Sequence, residues 1–344
     1  MQTLLAETDR PDRLKAAVIQ AVELLARGET VALPTETVYG LAADAMNPEA
    51  VAKIFAAKER PSFDPLIVHL PHPDRLADVA VVPEDIAKAV AQLTAHFWPG
   101  PLTIVLPKHP ALPDIVTAGL PTVAVRMSVN PVFRRVITSL ARPLAAPSAN
   151  RFGRISPTSA AAVLKELDGR IPLILDGGAC HTGIESTIIK IIPREPKPLL
   201  RILRAGPVTK EDLQAFGKVE FANQPSEPGA SRPEVPGQLS SHYAPRTPLR
   251  LLTSPADFAP VEGKRYALLS YRGDPEDGYL PLTDWHHTLT LSPGNGKLPE
   301  AAVRFFHCLR QLDECGADEI IAEPVPERGM GAAIMERLRR AAGG

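Results

Sequence analysis

The sequence predicts an α/β protein in which a larger mixed sheet with helical cover is joined by a proline-rich linker to a smaller α/β unit. Three observations predict it. Helical-period stretches alternate with short, β-branched apolar runs over the first two-thirds of the chain. That pattern fades near Phe216, and six prolines fall within residues 225–248. It then resumes over residues 248–344. A length of 344 residues agrees with two domains at about 150 residues each.

Each element has a local reason. Residues 11–27 set Leu14, Val18, Val22 and Leu25 on one helical face, with Pro11 in the first turn and Gly28 as a stop. A short strand follows at 30–33, then a helix at 48–58, a strand at 66–70 and a helix near 84–97. The Pro-Gly-Pro turn at 99–101 precedes apolar runs at 102–106, 122–126, 143–146, 172–175 and 186–192. Helices at 131–140 and 158–167 separate some of these runs, while others follow one another directly, which predicts a mixed sheet. Proline pre-sets φ, so the linker is expected to be semi-rigid. Beyond it, strands are expected at 248–253, 265–271 and 318–326, and helices at 299–315 and 329–342. Arg337, Arg339 and Arg340 are expected on a solvated face of the last helix.

Composition narrows the functional classes. The chain has 38 Lys plus Arg against 39 Asp plus Glu, a net charge of -1, which argues against a strongly cationic nucleic-acid coat. Aromatics are 5% of residues, too few for a repeated base-stacking platform. Three scattered cysteines without a CxxC pair predict neither a disulfide framework nor a structural zinc site. The chain reads as reduced and cytoplasmic, with no signal peptide and no membrane span. Proline is the outlier, at 37 residues or about 11% against a usual 5%.

Several familiar chemistries are absent. No phosphate-binding P-loop, G-x-G-x-x-G, H-E-x-x-H or G-x-S-x-G occurs. Gly294-Asn295-Gly296-Lys297 lacks the P-loop spacing and hydroxyl residue. The adjacent pairs His286–His287 and Cys180–His181 are poorly placed for a metal or a nucleophile and base, because neighbouring side chains diverge.

Five polar stretches stand at strand ends, where open α/β sheets bind ligands. Thr35 and Thr37 in Pro34–Leu41 offer hydroxyls to a small polar ligand, or serve as caps in a strand-to-helix turn. Lys58 and Arg60 end a helix, and either complement its dipole or clamp a phosphate. His69 sits in an apolar strand and suits a satisfied core role at least as well as a ligand role. Arg126 closes another apolar strand and needs an acidic partner or an anionic ligand. Ser148 and Asn150 follow a strand in a loop toward a helix that Ser156 or Thr158 is placed to cap. Gly183–Thr187 has the same strand-edge character. Composition and spacing give a polar, cation-lined cleft suited to an anionic ligand, and name no substrate.

Taken together, the stretches resemble one family, the threonylcarbamoyl-AMP synthases of the Sua5/YrdC/YciO type. PTETVYGLAADA, KERPSFDPLIVHL, the S-x-N of Ser148 and Asn150, Gly183–Ile188 and Arg201–Gly206 are similar to its successive motifs. Residues 236–245, PGQLSSHYAP, are similar to the P-G-x-x-x-x-H-Y-A-P motif of the long form. The resemblance implies a YrdC-like catalytic domain at 1–216 with helices around an open cleft, a linker at 217–247 closing over the site, and a Rossmann-like C-terminal domain at 248–344. It implies condensation of L-threonine, bicarbonate and ATP, with Mg²⁺, to threonylcarbamoyl-AMP and pyrophosphate for the tRNA t6A modification. It places Thr35, Thr37, His69, Arg126, Ser148 and Ser186 on threonine or its carbamate, and Lys58, Arg60, Asp64, Thr122, Asn150, Thr158, Arg204 and Tyr243 on ATP. Lys58 and Arg60 are the implied catalytic charges, and no residue is assigned as a metal ligand.

Asp64 departs from the Asn usual in the family's N-P-L triplet; a carboxylate accepts hydrogen bonds but cannot donate, and repels phosphates unless Mg²⁺ intervenes. The implied partners are the substrates and downstream t6A-forming proteins. Direct tRNA binding is a weaker expectation. The competing readings are an RNA-binding module, marked by salt-dependent RNA binding without threonine-dependent ATP turnover, and a carbamoyltransferase. The carbamoyltransferase reading lacks the acylphosphatase and zinc-finger segments that accompany such domains in hydrogenase maturation.

Overall fold

Proline starts many of the helices. In the computed structural model, which describes residues 2–222, 233–238 and 242–343, α1 (Pro11–Ala26), α2 (Pro48–Lys58) and α5 (Pro131–Leu140) all begin on it. The first helical N–H has no intrahelical partner, so a residue without one costs nothing there. Asn47 and Asn130 cap α2 and α5, each side chain accepting two amide hydrogens of the first turn. The remaining helices of this region are α3 (Glu84–Phe97), α4 (Asp114–Thr117), α6 (Ala160–Leu167) and α7 (Lys210–Leu213). The cap of α6 is Ser159, which accepts from Ala162 N, rather than the expected Ser156 or Thr158.

These helices cover a sheet that has eleven strands among the described residues. In chain order they are β1 (Leu4–Glu7), β2 (Val31–Leu33), β3 (Gly40–Asp44), β4 (Ile67–His69), β5 (Gly100–Pro107), β6 (Thr122–Met127), β7 (Leu144–Ala145), β8 (Leu173–Asp176), β9 (Thr187–Ile192), β10 (Leu199–Arg204) and β11 (Lys218–Phe221). Their spatial order is β1-β8-β2-β3-β7-β4-β6-β5-β9-β10-β11. Parallel pairs such as β4–β6 and β5–β9 mix with antiparallel pairs such as β2–β3 and β5–β6, as the sequence predicts. One large apolar core under α2 and α3 and a second under α1 and α5 hold the layers together.

The segment after β2 differs from expectation. It is a hairpin turn, not a strand-to-helix turn, and β3 pairs antiparallel with β2, Val31 opposite Ala42 and Leu33 opposite Gly40. The sequence GLAAD has no β-branched residue, so neighbouring strands rather than propensity make it a strand.

The second sheet is all parallel, in the order β12-β15-β13-β14, built from β12 (Leu249–Leu251), β13 (Tyr266–Ser270), β14 (His287–Thr290) and β15 (Glu319–Ala322). Helices α8 (Leu298–Glu314) and α9 (Met330–Ala342) pack on it. Their core continues without a break into Val38, Ile155, Ile184 and Ala205 of the first region. The expected solvated face of α9 is corrected here. Arg339 is half exposed, but Arg337 is 0% and Arg340 8% exposed, because α9 turns that face onto the first region. Of the linker, residues 223–232 and 239–241, including Pro225, Pro228 and part of the P-G-x-x-x-x-H-Y-A-P motif, lie outside the described residues.

Candidate active site

A cleft continuous with solvent opens where the β2–β3 turn, the ends of β4 and β6, the loop after β7 and the approach to β9 meet. Thr35 organises the turn. Its Oγ1 accepts from the amides of Thr37 (3.1 Å) and Val38 (3.2 Å) and lies 2.8 Å from Thr37 Oγ1. Arg126, next to last in β6, lies directly beside His69 of β4. Its Nη1 donates to Thr37 Oγ1 (3.2 Å) and its Nη2 to Glu36, whose other oxygen accepts from Ser128. Nε of Arg126 and Nδ1 of His69 have no hydrogen-bond partner among the described residues. Burial, with Arg126 and Arg134 nearby, holds His69 well below its usual pKa, so its ring is neutral.

The other wall carries most of the positive charge. Lys58, 1% exposed, ends α2 and donates its Nζ to the carbonyls of Ser148 and Asn150, so it fixes the loop after β7. Burial, with Arg60 close by, lowers its pKa well below the ordinary lysine value. Arg60 donates to the carbonyls of Asp64 (3.2 Å) and Pro65 (2.8 Å), and its Nη2 stands 2.9 Å from Asp64 Oδ2. That contact is an ion pair without hydrogen-bond geometry, since both Asp64 carboxylate oxygens lack a hydrogen-bond partner among the described residues. Burial raises the Asp64 pKa, opposed by Arg60 and Lys58. Arg204 at the end of β10 donates to the Ser186 carbonyl (2.9 Å), to Ser186 Oγ (3.0 Å) and to the Pro236 carbonyl (3.2 Å). Gly206 permits this approach, because a Cβ there would lie 2.4 Å from Thr187 N.

The linker closes one side. Tyr243 is 1% exposed, sits in the left-handed backbone region at φ 65°, and lines the cleft beside His242, Pro236 and Gly237. An aromatic residue there is strained, at about 1–3 kcal/mol, and needs compensating contacts. Those contacts are the rings of His242 (4.1 Å) and Phe306 (5.5 Å). Burial, with Glu185 close by, pushes its phenol up to about 12, so it is protonated at neutral pH.

Of the residues singled out from the sequence, Thr35, Thr37, Arg60, His69, Arg126, Ser148, Arg204 and Tyr243 line the cleft. Lys58, Asp64, Asn150 and Ser186 stand one contact behind it, supporting Ser148, Arg60 and Arg204. Thr122 and Thr158 do not line it: Thr122 opens β6 at the end away from Arg126, and Thr158 presents its carbonyl to Cys180 N (2.9 Å). Cys180 is buried and its thiol is pushed up to about 12 by burial, so no thiolate nucleophile forms there. Glu36 and Glu185 also line or brace the cleft without being singled out by the sequence pattern. Each is an acid inside an otherwise apolar or hydroxylic strand-end stretch, the signal that would have marked it.

A mixed sheet with a cation-walled cleft, strapped by a linker to a small parallel-sheet domain, defines the class: a two-domain α/β protein with a polar cleft at its strand ends. The family model Sua5_yciO_yrdC, described as "Telomere recombination", matches residues 23–206, and Sua5_C, "Threonylcarbamoyl-AMP synthase, C-terminal domain", matches residues 208–343. The chain belongs to the Sua5/YrdC/YciO family. It is 40% identical to the threonylcarbamoyl-AMP synthase of Bacillus subtilis (strain 168), covering 98% of this chain and 96% of the relative. To that of Pyrococcus abyssi it is 36% identical, covering 94% of this chain and 93% of the relative. The crystal structure of P. abyssi Sua5 complexed with L-threonine superposes with a TM-score of 0.85 at 34% identity, over 99% of this chain and 98% of that one.

Proposed function

We propose that the chain is an L-threonylcarbamoyladenylate synthase, a nucleotidyltransferase that joins L-threonine, bicarbonate or CO₂, and ATP, releases pyrophosphate, and supplies the tRNA t6A modification. The observation that carries it is the convergence of residues from separate motifs on one cleft, with hydroxyls and Arg126 on one wall and Arg60 and Arg204 on the other. Relatives matched over nearly their whole length are named for this activity.

In this reading residues 1–216 form the catalytic domain, 217–247 the closing linker and 248–344 the C-terminal domain. Arg126 receives the threonine carboxylate, exchanging its internal partner Glu36 for the ligand, with Thr35, Thr37, His69 and Ser148 around it and Ser186 behind. The threonine amine takes up CO₂ as a carbamate, whose oxygen attacks the α-phosphorus of ATP while the pyrophosphate bond breaks. Such transfers depend on position and charge neutralisation rather than on a protein nucleophile. Arg60, Arg204 and Tyr243 meet the nucleotide, and Lys58, Asp64 and Asn150 hold their wall. Thr122 and Thr158 keep their implied place on the nucleotide side only if that wall moves on binding.

The residues fit Mg²⁺ that arrives with ATP: among the described residues no three His, Cys, Asp or Glu cluster to cage an ion, and Asp64, ion-paired with Arg60 at 2.9 Å, has both carboxylate oxygens without a hydrogen-bond partner among the described residues. Bound there, the ion would neutralise phosphate charge. No described helix is long and apolar enough to cross a membrane, and the three cysteines are free, which supports a cytoplasmic place. Hand-off to downstream t6A-forming proteins completes the reading.

Incubation with ATP, Mg²⁺, bicarbonate and either L-threonine or L-serine, with pyrophosphate measured, tests it. Release that requires threonine is expected; equal release with neither amino acid present would overturn the assignment.

A further inference from the structure

A cation of the C-terminal domain reaches the cleft wall. Arg337 of α9 is the largest fully buried side chain. Its Nε donates to Glu185 Oε2 (3.2 Å) and its Nη1 to the Ala205 carbonyl (2.6 Å). Its guanidinium carbon lies 5.6 Å from the Tyr243 ring centroid. Glu185 and Tyr243 both line the cleft. The second Glu185 oxygen accepts from Ser156 (2.5 Å), and the neighbouring Glu336 accepts from Ala205 N (2.9 Å). The backbone approach is close, since a Cβ on Gly183 would lie 2.4 Å from Val303 Cα of α8. A buried guanidinium is costly unless its partners repay desolvation, so this arrangement fixes both partners in one geometry.

We propose that Arg337 is a positioning residue for the reaction: from the C-terminal domain it holds the Glu185 carboxylate and the Tyr243 ring in place, so that two domains together set the nucleotide-side wall. The inference rests on the functional reading above. It gives the C-terminal domain a defined task at the site, since α9 supplies the cation that pairs with Glu185 and that stands over the Tyr243 ring, which packs in addition on His242 and Phe306. The threonine-side wall, built from Arg126, Thr37 and His69, makes none of these contacts.

The test compares Arg337→Met and Arg337→Lys with Arg310→Gln. Arg310 of α8 also bridges the domains, to Glu166 (3.1 Å) and the Ile155 carbonyl (2.7 Å), but does not line the cleft. Losing one charge-assisted contact predicts about a tenfold rise in KM for ATP in Arg337→Met. KM for threonine should stay within about twofold, Arg337→Lys should recover part of the loss, and Arg310→Gln should leave both constants near wild type. Amide exchange over residues 242–245 is followed in the same variants. There Ala244 N donates to the Gly153 carbonyl (2.9 Å). Exchange about tenfold faster in Arg337→Met, a smaller increase in Arg337→Lys and no change in Arg310→Gln are expected. Unchanged exchange and unchanged KM for ATP in Arg337→Lys and Arg337→Met would overturn the proposal, as would equal effects in Arg310→Gln. If the wild-type enzyme releases no pyrophosphate, the functional reading fails, and the exchange comparison alone still decides whether Arg337 sets this wall.

Discussion

Among the described residues, His69 and His242 are buried without a hydrogen-bond partner for Nδ1, and both are held well below their ordinary value of 6.5, first by burial and then by neighbouring cations. The folded state keeps them neutral while the unfolded chain protonates them near 6.5, so below that pH the unfolded state binds more protons and stability falls with pH. Each contributes a slope of about 1.4 kcal/mol per pH unit. Urea midpoints measured between pH 7.5 and 5 should therefore decline below pH 6.5, and His242→Gln should flatten the decline by about one proton. An identical slope in that variant would refute a neutral His242. At the same scale, the sequence reading found Thr35, Thr37, His69, Arg126 and Ser148, because a polar residue at the end of an apolar run is conspicuous. Glu36 and Glu185 are not legible this way, because an acid between threonines, or between an isoleucine and a serine near a glycine, looks like turn chemistry until its cation is known. Arg126 and Arg337 are those cations, and they are 90 and 152 residues away.

Elements with strong period were legible and those made by neighbours were not. The helices α2, α3 and α5 follow from proline starts and apolar spacing. Strand β3, Gly-Leu-Ala-Ala-Asp, carries no such signal and exists because β2 offers it a ladder, and the four-residue β14, HTLT, is too short to stand out without β13 beside it. The β9–β10 pair makes a prediction of its own. Its register shifts between Ile202 and Arg204, and Gly206 then lies against the start of β9. A methyl group at 206 would meet the Thr187 amide nitrogen at 2.4 Å and the Glu185 carbonyl at 2.6 Å, so backbone must move. Gly206→Ala should cost about 2 kcal/mol, the middle of the range for overpacking, read as a lower urea midpoint. Because Arg204 and Glu185 shift together, KM for ATP should rise as well. A fully stable variant with normal kinetics would mean that the two strands can part freely.

Across the molecule, the apolar core shared by α8, Tyr243, Ile184 and Ala205 makes the C-terminal domain part of the cleft's support. The two-domain division was legible from the proline cluster, yet the depth of this contact was not. A basic stripe on a terminal helix looks solvated unless the acid it buries against is known, and Glu185 lies in the other domain. Truncation after residue 216 should leave threonine-dependent pyrophosphate release at least tenfold below the full chain, while the first domain's circular dichroism persists. Full activity in the truncated protein would show that strap and second domain are dispensable.

The order of the large sheet has a bearing on how the chain is made. β8 lies between β1 and β2, pairing Leu4 with Leu173 and Val31 with that same residue. A ribosome releases residues in order, so the amino-terminal strand emerges about 170 residues before the neighbour that joins it to the sheet, a delay of roughly ten to thirty seconds at ordinary synthesis rates. Until then the edges of β1 and β2 that face β8 have no partner strand, and this part of the sheet closes only when about half of the chain has been made.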